Sequence, residues 1–235
     1  MRVHRVRALL MGGQACVFYG AAEFSRDTDL AILADAANLA RLRRALDELN
    51  AEPIAVPSLE LRHLRKGHAV HFRCMHPEAT RMRVDIMSRM RGVDAFPSLW
   101  RRRTVIAMAD GTPCDLLSLP DLVNAKKTQR DKDWPMIRRL VEAHYFAHRA
   151  RPSAPQLGFW LRELRTPELL LEVTSRHPRP AARWSRKRVA VEAAIAGDAA
   201  AVGRALRDEE LAEREADRAY WQPLIAELGA LRRRK

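Results

Sequence analysis

Two adjacent glycines, Gly12-Gly13, close the short apolar run Ala8-Leu9-Leu10-Met11, and a second apolar run headed by two aspartates follows soon after. The stretch from Met11 to Leu33 therefore reads as strand, glycine turn, helix, strand. Lacking a Cβ, Gly12 and Gly13 let the backbone turn sharply and approach a ligand closely. The amides opening the next helix have no intrahelical partner and sit at the positive end of its dipole, a setting that favours phosphate. Asp27 and Asp29 stand two apart before Leu30-Ala31-Ile32-Leu33, and a period of two puts both carboxylates on one face of a sheet. Such acids repel unless a cation lies between them, and hard oxygen ligands suit Mg²⁺ or Mn²⁺. A lone Gly-Gly is ordinarily a turn and a lone Asp-x-Asp a solvated strand edge. Their order and spacing together single this stretch out.

A third acid lies further on. In Met82-Arg83-Val84-Asp85-Ile86-Met87, Asp85 interrupts an apolar strand pattern. A buried carboxylate without a partner is costly. Either Arg83 or exposure satisfies it, or it joins Asp27 and Asp29 in an acidic trio; the pattern favours the trio. The preceding strand, Gly67 to Met75, is its expected hairpin partner. His63, His71, Cys74 and His76 suggest zinc, but His71 and Cys74 fall on opposite faces of a strand, whereas tetrahedral ligands must converge.

These residues carry a resemblance. The glycine pair, the short helix, the Ser25-x-Asp27-x-Asp29 strand and the later Asp85 together resemble the signature of the polymerase-β-type nucleotidyltransferases. Within that superfamily the chain looks closest to the abortive-infection nucleotidyltransferase toxins and related uncharacterised proteins. The likeness covers roughly the first 140 residues. It implies Mg²⁺ or Mn²⁺ held by Asp27, Asp29 and Asp85, and a nucleoside triphosphate on Gly12, Gly13 and Ser25. It further implies a lysine, Lys126 or Lys127, facing the nucleotide, with Arg130 and Asp133 as further candidates. The implied acceptor is a hydroxyl, with RNA or a tRNA end as the first expectation, and an antitoxin is a possible partner. Gly13 stands where the superfamily commonly has serine, and Glu23 where this branch often has arginine. A non-catalytic domain that keeps the scaffold and binds nucleic acid or a partner protein is therefore the alternative.

Composition bounds the rest. The 235 residues, 47% hydrophobic and 30% charged, suit a folded protein with a real core. No apolar run approaches the roughly 18 residues of a membrane helix, so no membrane and a cytoplasmic location are expected. Three widely spaced cysteines suggest no disulfide framework. A net charge of +13 favours a polyanionic partner, although arginine is abundant throughout.

The expected fold is α/β (α+β): a mixed sheet flanked by helices over 1–112, then a helical region over 113–235. Asn38 to Asn50 is amphipathic, with Leu39, Leu42, Leu46 and Leu49 on one face. Gly92 to Arg103 reads as a basic loop, and Thr104 to Met108 as a strand. Ser118 caps a helix expected to reach Arg130, placing Lys126 and Arg130 on one face. Asp133-Trp134-Pro135 starts another, running to about His148. Arg151–Pro155 and His177–Pro180 read as joints. Alanine-rich helices follow from Val189 to Leu231, broken at Gly197-Asp198.

Overall fold

A computed structural model describes residues 1–233 and forms two compact units. The first is Met1–Ala125 together with the chain from Ala219 onward; the second is Lys126–Arg218. The expected joint after residue 112 falls at the tip of a hairpin, so the strand and helix beyond it stay with the sheet.

The first unit is built on one mixed sheet. Its strands are β1 (Ala8–Met11), β2 (Asp27–Ile32), β3 (Ala51–Pro53), β4 (Val70–Cys74), β5 (Arg83–Met87), β6 (Thr104–Ala107) and β7 (Pro113–Leu116). They run in the order β3-β4-β5-β2-β1-β7-β6. β1 with β2 and β4 with β5 are antiparallel, while β2 with β5 and β1 with β7 are parallel. Alternation sets the faces. Val70, Phe72, Cys74, Val84, Ile86, Leu30 and Ile32 are buried on one side, whereas Arg83, Asp85 and Met87 are half-buried on the other.

Short helices link the strands: α1 (Gly12–Phe18), α2 (Ala36–Glu48), α3 (Leu61–Lys66), α4 (Phe96–Arg101) and α5 (Leu119–Ala125). Asp35 caps α2 by accepting from the Asn38 amide at 2.6 Å. Asn38 is fully buried and bonds both polar groups of the Arg7 backbone and the Leu33 carbonyl, which ties β1 and β2 at one end. The leucine face read from sequence is the buried one, with Leu39, Leu42 and Leu46 inside.

The second unit is helical: α6 (Asp133–His148), α7 (Ala154–Glu163), α8 (Pro167–Arg176), α9 (Pro178–Ser185), α10 (Val189–Ile195) and the first part of α11 (Ala199–Arg232). Trp160, Tyr145, Leu161, Leu170, Val173 and Val191 form its core. Arg188 is buried there, with Nε and Nη2 each 2.9 Å from Glu209 and with donors to the Leu161 and Leu164 carbonyls at the end of α7. Among the described residues no helix is long and apolar enough to cross a membrane.

Three expectations are corrected. The expected joint at His177–Pro180 narrows to His177, which separates α8 from α9; Pro178 and Pro180 open α9, because a first-turn amide has no intrahelical acceptor and proline costs nothing there. The expected loop from Gly92 contains α4, again with a first-turn proline. The helix expected to reach Arg130 stops at Ala125, so helical spacing does not pair Lys126 with Arg130. Side chains take over the backbone there: Asp217 accepts the Gln129 amide at 2.9 Å and Thr128 Oγ1 the Arg130 amide at 3.2 Å.

Candidate functional site

The glycine corner lies directly on the first two site residues. Met11 is the register partner of Asp29, and Gly12 takes φ +67° as the chain leaves β1. A Cβ on Gly12 would stand 1.8 Å from Asp29 Oδ2, and one on Gly13 would stand 2.4 Å from Ser25 Oγ. Gly12 is required both by the close approach of Asp29 and by its left-handed backbone, whereas a side chain on Gly13 would need Ser25 to give way. Ser25 Oγ donates to the Asp27 carbonyl at 3.3 Å, which shapes the entry to β2.

Register brings in the third acid. In the parallel pair β2–β5, Asp29 is opposite Asp85 and Asp27 opposite Arg83. Partners side by side across a ladder share a face, and positions two apart on a strand do too. Asp27, Asp29, Arg83 and Asp85 thus line one face. From β4, His71 pairs in register with Asp85 and completes the row.

Asp85 is firmly held. Its Oδ1 accepts from Arg83 Nε at 2.8 Å and lies 2.8 Å from His71 Nδ1. Burial pushes its carboxyl up, but hydrogen bonds from His71 and Arg83 outweigh that and hold it below the ordinary value. An ionised Oδ1 can only accept, so His71 presents Nδ1–H to it. The hydrogen bond to Asp85 fixes the positive charge on Arg83, and the nearby charges of Asp27 and Asp29 add to it. The guanidinium thus serves three carboxylates and relieves their mutual repulsion. Sequence reading offered either an Arg83 contact or an acidic trio for Asp85. Arg83 makes the contact, and strand parity puts the three acids on the same face as it without bringing them together around one point.

The donors fit a divalent ion in type: hard carboxylate oxygens on adjacent strands suit Mg²⁺ or Mn²⁺. Among the described residues, no group of three His, Cys, Asp or Glu stands close enough to grip an ion as arranged. Asp85 is turned toward His71 and Arg83 instead. The rejected zinc set stays apart, with Cys74 buried on the face opposite His71.

The remaining candidates lie in the second unit, where Lys126 and Arg130 engage Asp133 and Lys127 engages Glu163. Lys126 Nζ is 2.9 Å from Asp133 Oδ1, while Thr128 Oγ1 and Arg130 Nε donate to Asp133 Oδ2 at 2.6 and 2.8 Å. Lys127 Nζ is 2.9 Å from Glu163 Oε2. Burial raises the Asp133 carboxyl, but Lys126, Thr128 and Arg130 together draw it below the ordinary value. Two arginines of the basic run Arg101–Arg103 are also paired within the first unit, while Arg101 stays exposed with Ser98 Oγ at 3.0 Å. Arg102 pairs with Asp121 at 2.6 Å, and Arg103 pairs with Asp115 at 2.6 Å while lying 4.2 Å from the Trp100 ring centroid.

Sequence reasoning named neither His71 nor Arg83 as a site residue. Parity alone could have placed Arg83 with Asp85. His71 needed the β4–β5 register, which no local pattern supplies. Fold and site together define an α+β protein whose mixed sheet carries three aspartates, an arginine and a histidine on one face beside a glycine corner. No protein-family model matches the chain, and no curated protein matches it.

Proposed function

We propose that the chain is a Mg²⁺- or Mn²⁺-dependent nucleotidyltransferase that moves a nucleoside monophosphate from a triphosphate to an acceptor hydroxyl, with RNA as the acceptor class. The observation that carries this reading is the register pairing of Asp29 with Asp85, with Asp27 on the same face and the Gly12 backbone against Asp29. Asp27 and Asp29 would hold the divalent ion, and Asp85 would join them once Arg83 yields its oxygen. When bound, such an ion neutralises charge on the triphosphate and on the oxygens entering and leaving phosphorus. Arg83 is placed to meet phosphate charge from the same face. His71 fixes the Asp85 carboxylate through Nδ1.

The test is incorporation from labelled nucleoside triphosphates into total RNA. Asp27→Asn and Asp29→Asn are each expected to fall to the level of the no-enzyme control while keeping the wild-type melting temperature. Transfer that survives both substitutions removes the proposal.

One observation favours a second reading. Asp85 Oδ1 is taken by Arg83 and His71, and among the described residues three ligands do not converge. A scaffold that binds nucleic acid without transfer would look the same. Calorimetric titration with Mg²⁺ and each nucleoside triphosphate separates the two: the transferase binds nucleotide only with the ion present, and the inert scaffold binds neither.

A further inference from the structure

The second unit carries a cluster of cations that its own carboxylates leave alone. Between Glu172 and Glu192 there is no acidic residue. Within that interval Arg176 pairs with Glu172 at 2.9 Å and Arg188 is buried against Glu209. Arg179, Arg183, Arg186 and Lys187 are exposed, and none has a carboxylate at salt-bridge distance among the described residues. Some exposed arginines elsewhere do have such a partner, as Arg62 has in Glu60 and Arg138 in Glu142.

Their arrangement is ordered. At 100° per residue, Arg179, Arg183 and Arg186 fall within about 60° of one another on α9 and its cap, and span roughly 10 Å along the axis. Like charges at such spacing cost a few tenths of a kcal/mol per pair, so they add nothing to the helix itself. Trp184 borders the stripe half-buried, its indole against Gly158 and the Lys187 ammonium 5.6 Å from the ring centroid. The apolar side of α9 is already used: Ala181 is fully buried, and the helix packs on α7, α8 and α10. A membrane-surface helix needs a free apolar face, and α9 has none. What it presents is a row of cations with a half-exposed aromatic, the equipment for a phosphodiester backbone and a stacked base.

We infer that Arg179, Arg183, Arg186 and Lys187, with Trp184, form a docking surface for a single-stranded nucleic acid. This deepens the proposed function by giving the acceptor a binding surface, and it rests on that reading only for the acceptor's role. Docking itself needs no nucleotide and no metal.

The experiment measures fluorescence anisotropy of a labelled poly(U) oligonucleotide with the full-length chain across a salt series, without nucleotide or divalent ion. Wild type should bind, with affinity falling linearly in log–log form. The triple variant Arg179→Ala/Arg183→Ala/Arg186→Ala should bind about tenfold or more weakly at low salt and reduce the slope by about 2, since each phosphate contact on a single strand contributes about 0.7. The corresponding triple lysine variant should keep the wild-type slope. Removing Arg44, Arg65 and Arg204, exposed cations outside the cluster, should lower affinity without changing the slope by more than about 0.5. An unchanged slope in the α9 alanine variant overturns the inference, as does an equal slope loss in the control triple. Preferential binding to anionic vesicles over poly(U) overturns it too. Binding that persists in Asp27→Asn, with transfer abolished, keeps the docking surface separate from the fate of the catalytic reading.

Discussion

Gly12→Ala should be the most damaging single change in the first unit. The new Cβ would stand 1.8 Å from Asp29 Oδ2 and 2.7 Å from Asp29 Cβ, and the backbone there has φ +67°. A left-handed conformation costs an L-residue about 1–2 kcal/mol, and forcing a methyl into filled space adds about 1–3 kcal/mol. The contact is with a side chain fixed close to its own backbone, so neither group can swing away, and Asp29 must leave its register position opposite Asp85. A loss of stability of about 2–5 kcal/mol is expected by urea denaturation. If Asp29 serves nucleotidyl transfer, the displacement should also lower the rate about a hundredfold, the scale for a misplaced catalytic group. Two neighbours calibrate the result. A Cβ on Gly13 would meet Ser25 Oγ at 2.4 Å and Ser25 Cβ at 2.9 Å, and the hydroxyl can rotate aside. Gly20 has φ +73° but nothing within 4 Å, so alanine there bears only the backbone strain. The order of damage should be Gly12, Gly13, Gly20. An equal response at Gly12 and Gly20 would show that backbone strain, not the approach to Asp29, is what Gly12 answers to.

That order also indicates what a sequence can reveal. The glycine corner and the Asp27–Asp29 pair were legible because both depend on local rules: a Cβ that must be absent, and a strand period of two. Asp85 was legible for the same reason, as a charge breaking an apolar alternation. The Asp85–His71 contact depends on which residue of β4 lies opposite β5, and that is set across the sheet. The segment Lys126–Arg130 reads as helix because its spacing permits one, yet the helix stops at Ala125. Its real conformation is fixed by Asp133 and Asp217 accepting from Thr128, Gln129 and Arg130, side-chain bonds that periodicity does not encode. The start of α9 was misread in the opposite sense. Pro178 and Pro180 look like a break, yet both fit a first turn, and nothing local distinguishes a proline that ends a helix from one that begins it.

Asp133→Ala should be the most damaging change in the second unit. The Asp133 side chain is 2% exposed and the Lys126 side chain 11%, so removing the carboxylate strands a largely buried ammonium. Breaking such a pair from one side costs about 3–5 kcal/mol, well above the worth of an exposed ion pair. Thr128 Oγ1 and Arg130 Nε lose their acceptor as well, which loosens the turn leading into α6. Arg130 is itself exposed, so Arg130→Ala should cost less than about 1 kcal/mol. The double variant Lys126→Met/Asp133→Leu should recover most of the loss, because no charge is then buried alone. Trp134, whose Nε1 donates to the Thr128 carbonyl at 2.8 Å, gives a local fluorescence signal for urea titrations. The dependence on pH follows from the depressed carboxyl. With the folded value held below the ordinary 3.8, the Asp133 contribution is fully present above 3.8 and is lost as pH falls through the folded value. Wild type and Asp133→Ala should therefore differ most at neutral pH and converge in acid. A stability gap that stays constant from neutral pH into that acid range would mean that Asp133 acts through shape alone, with Lys126 satisfied by solvent.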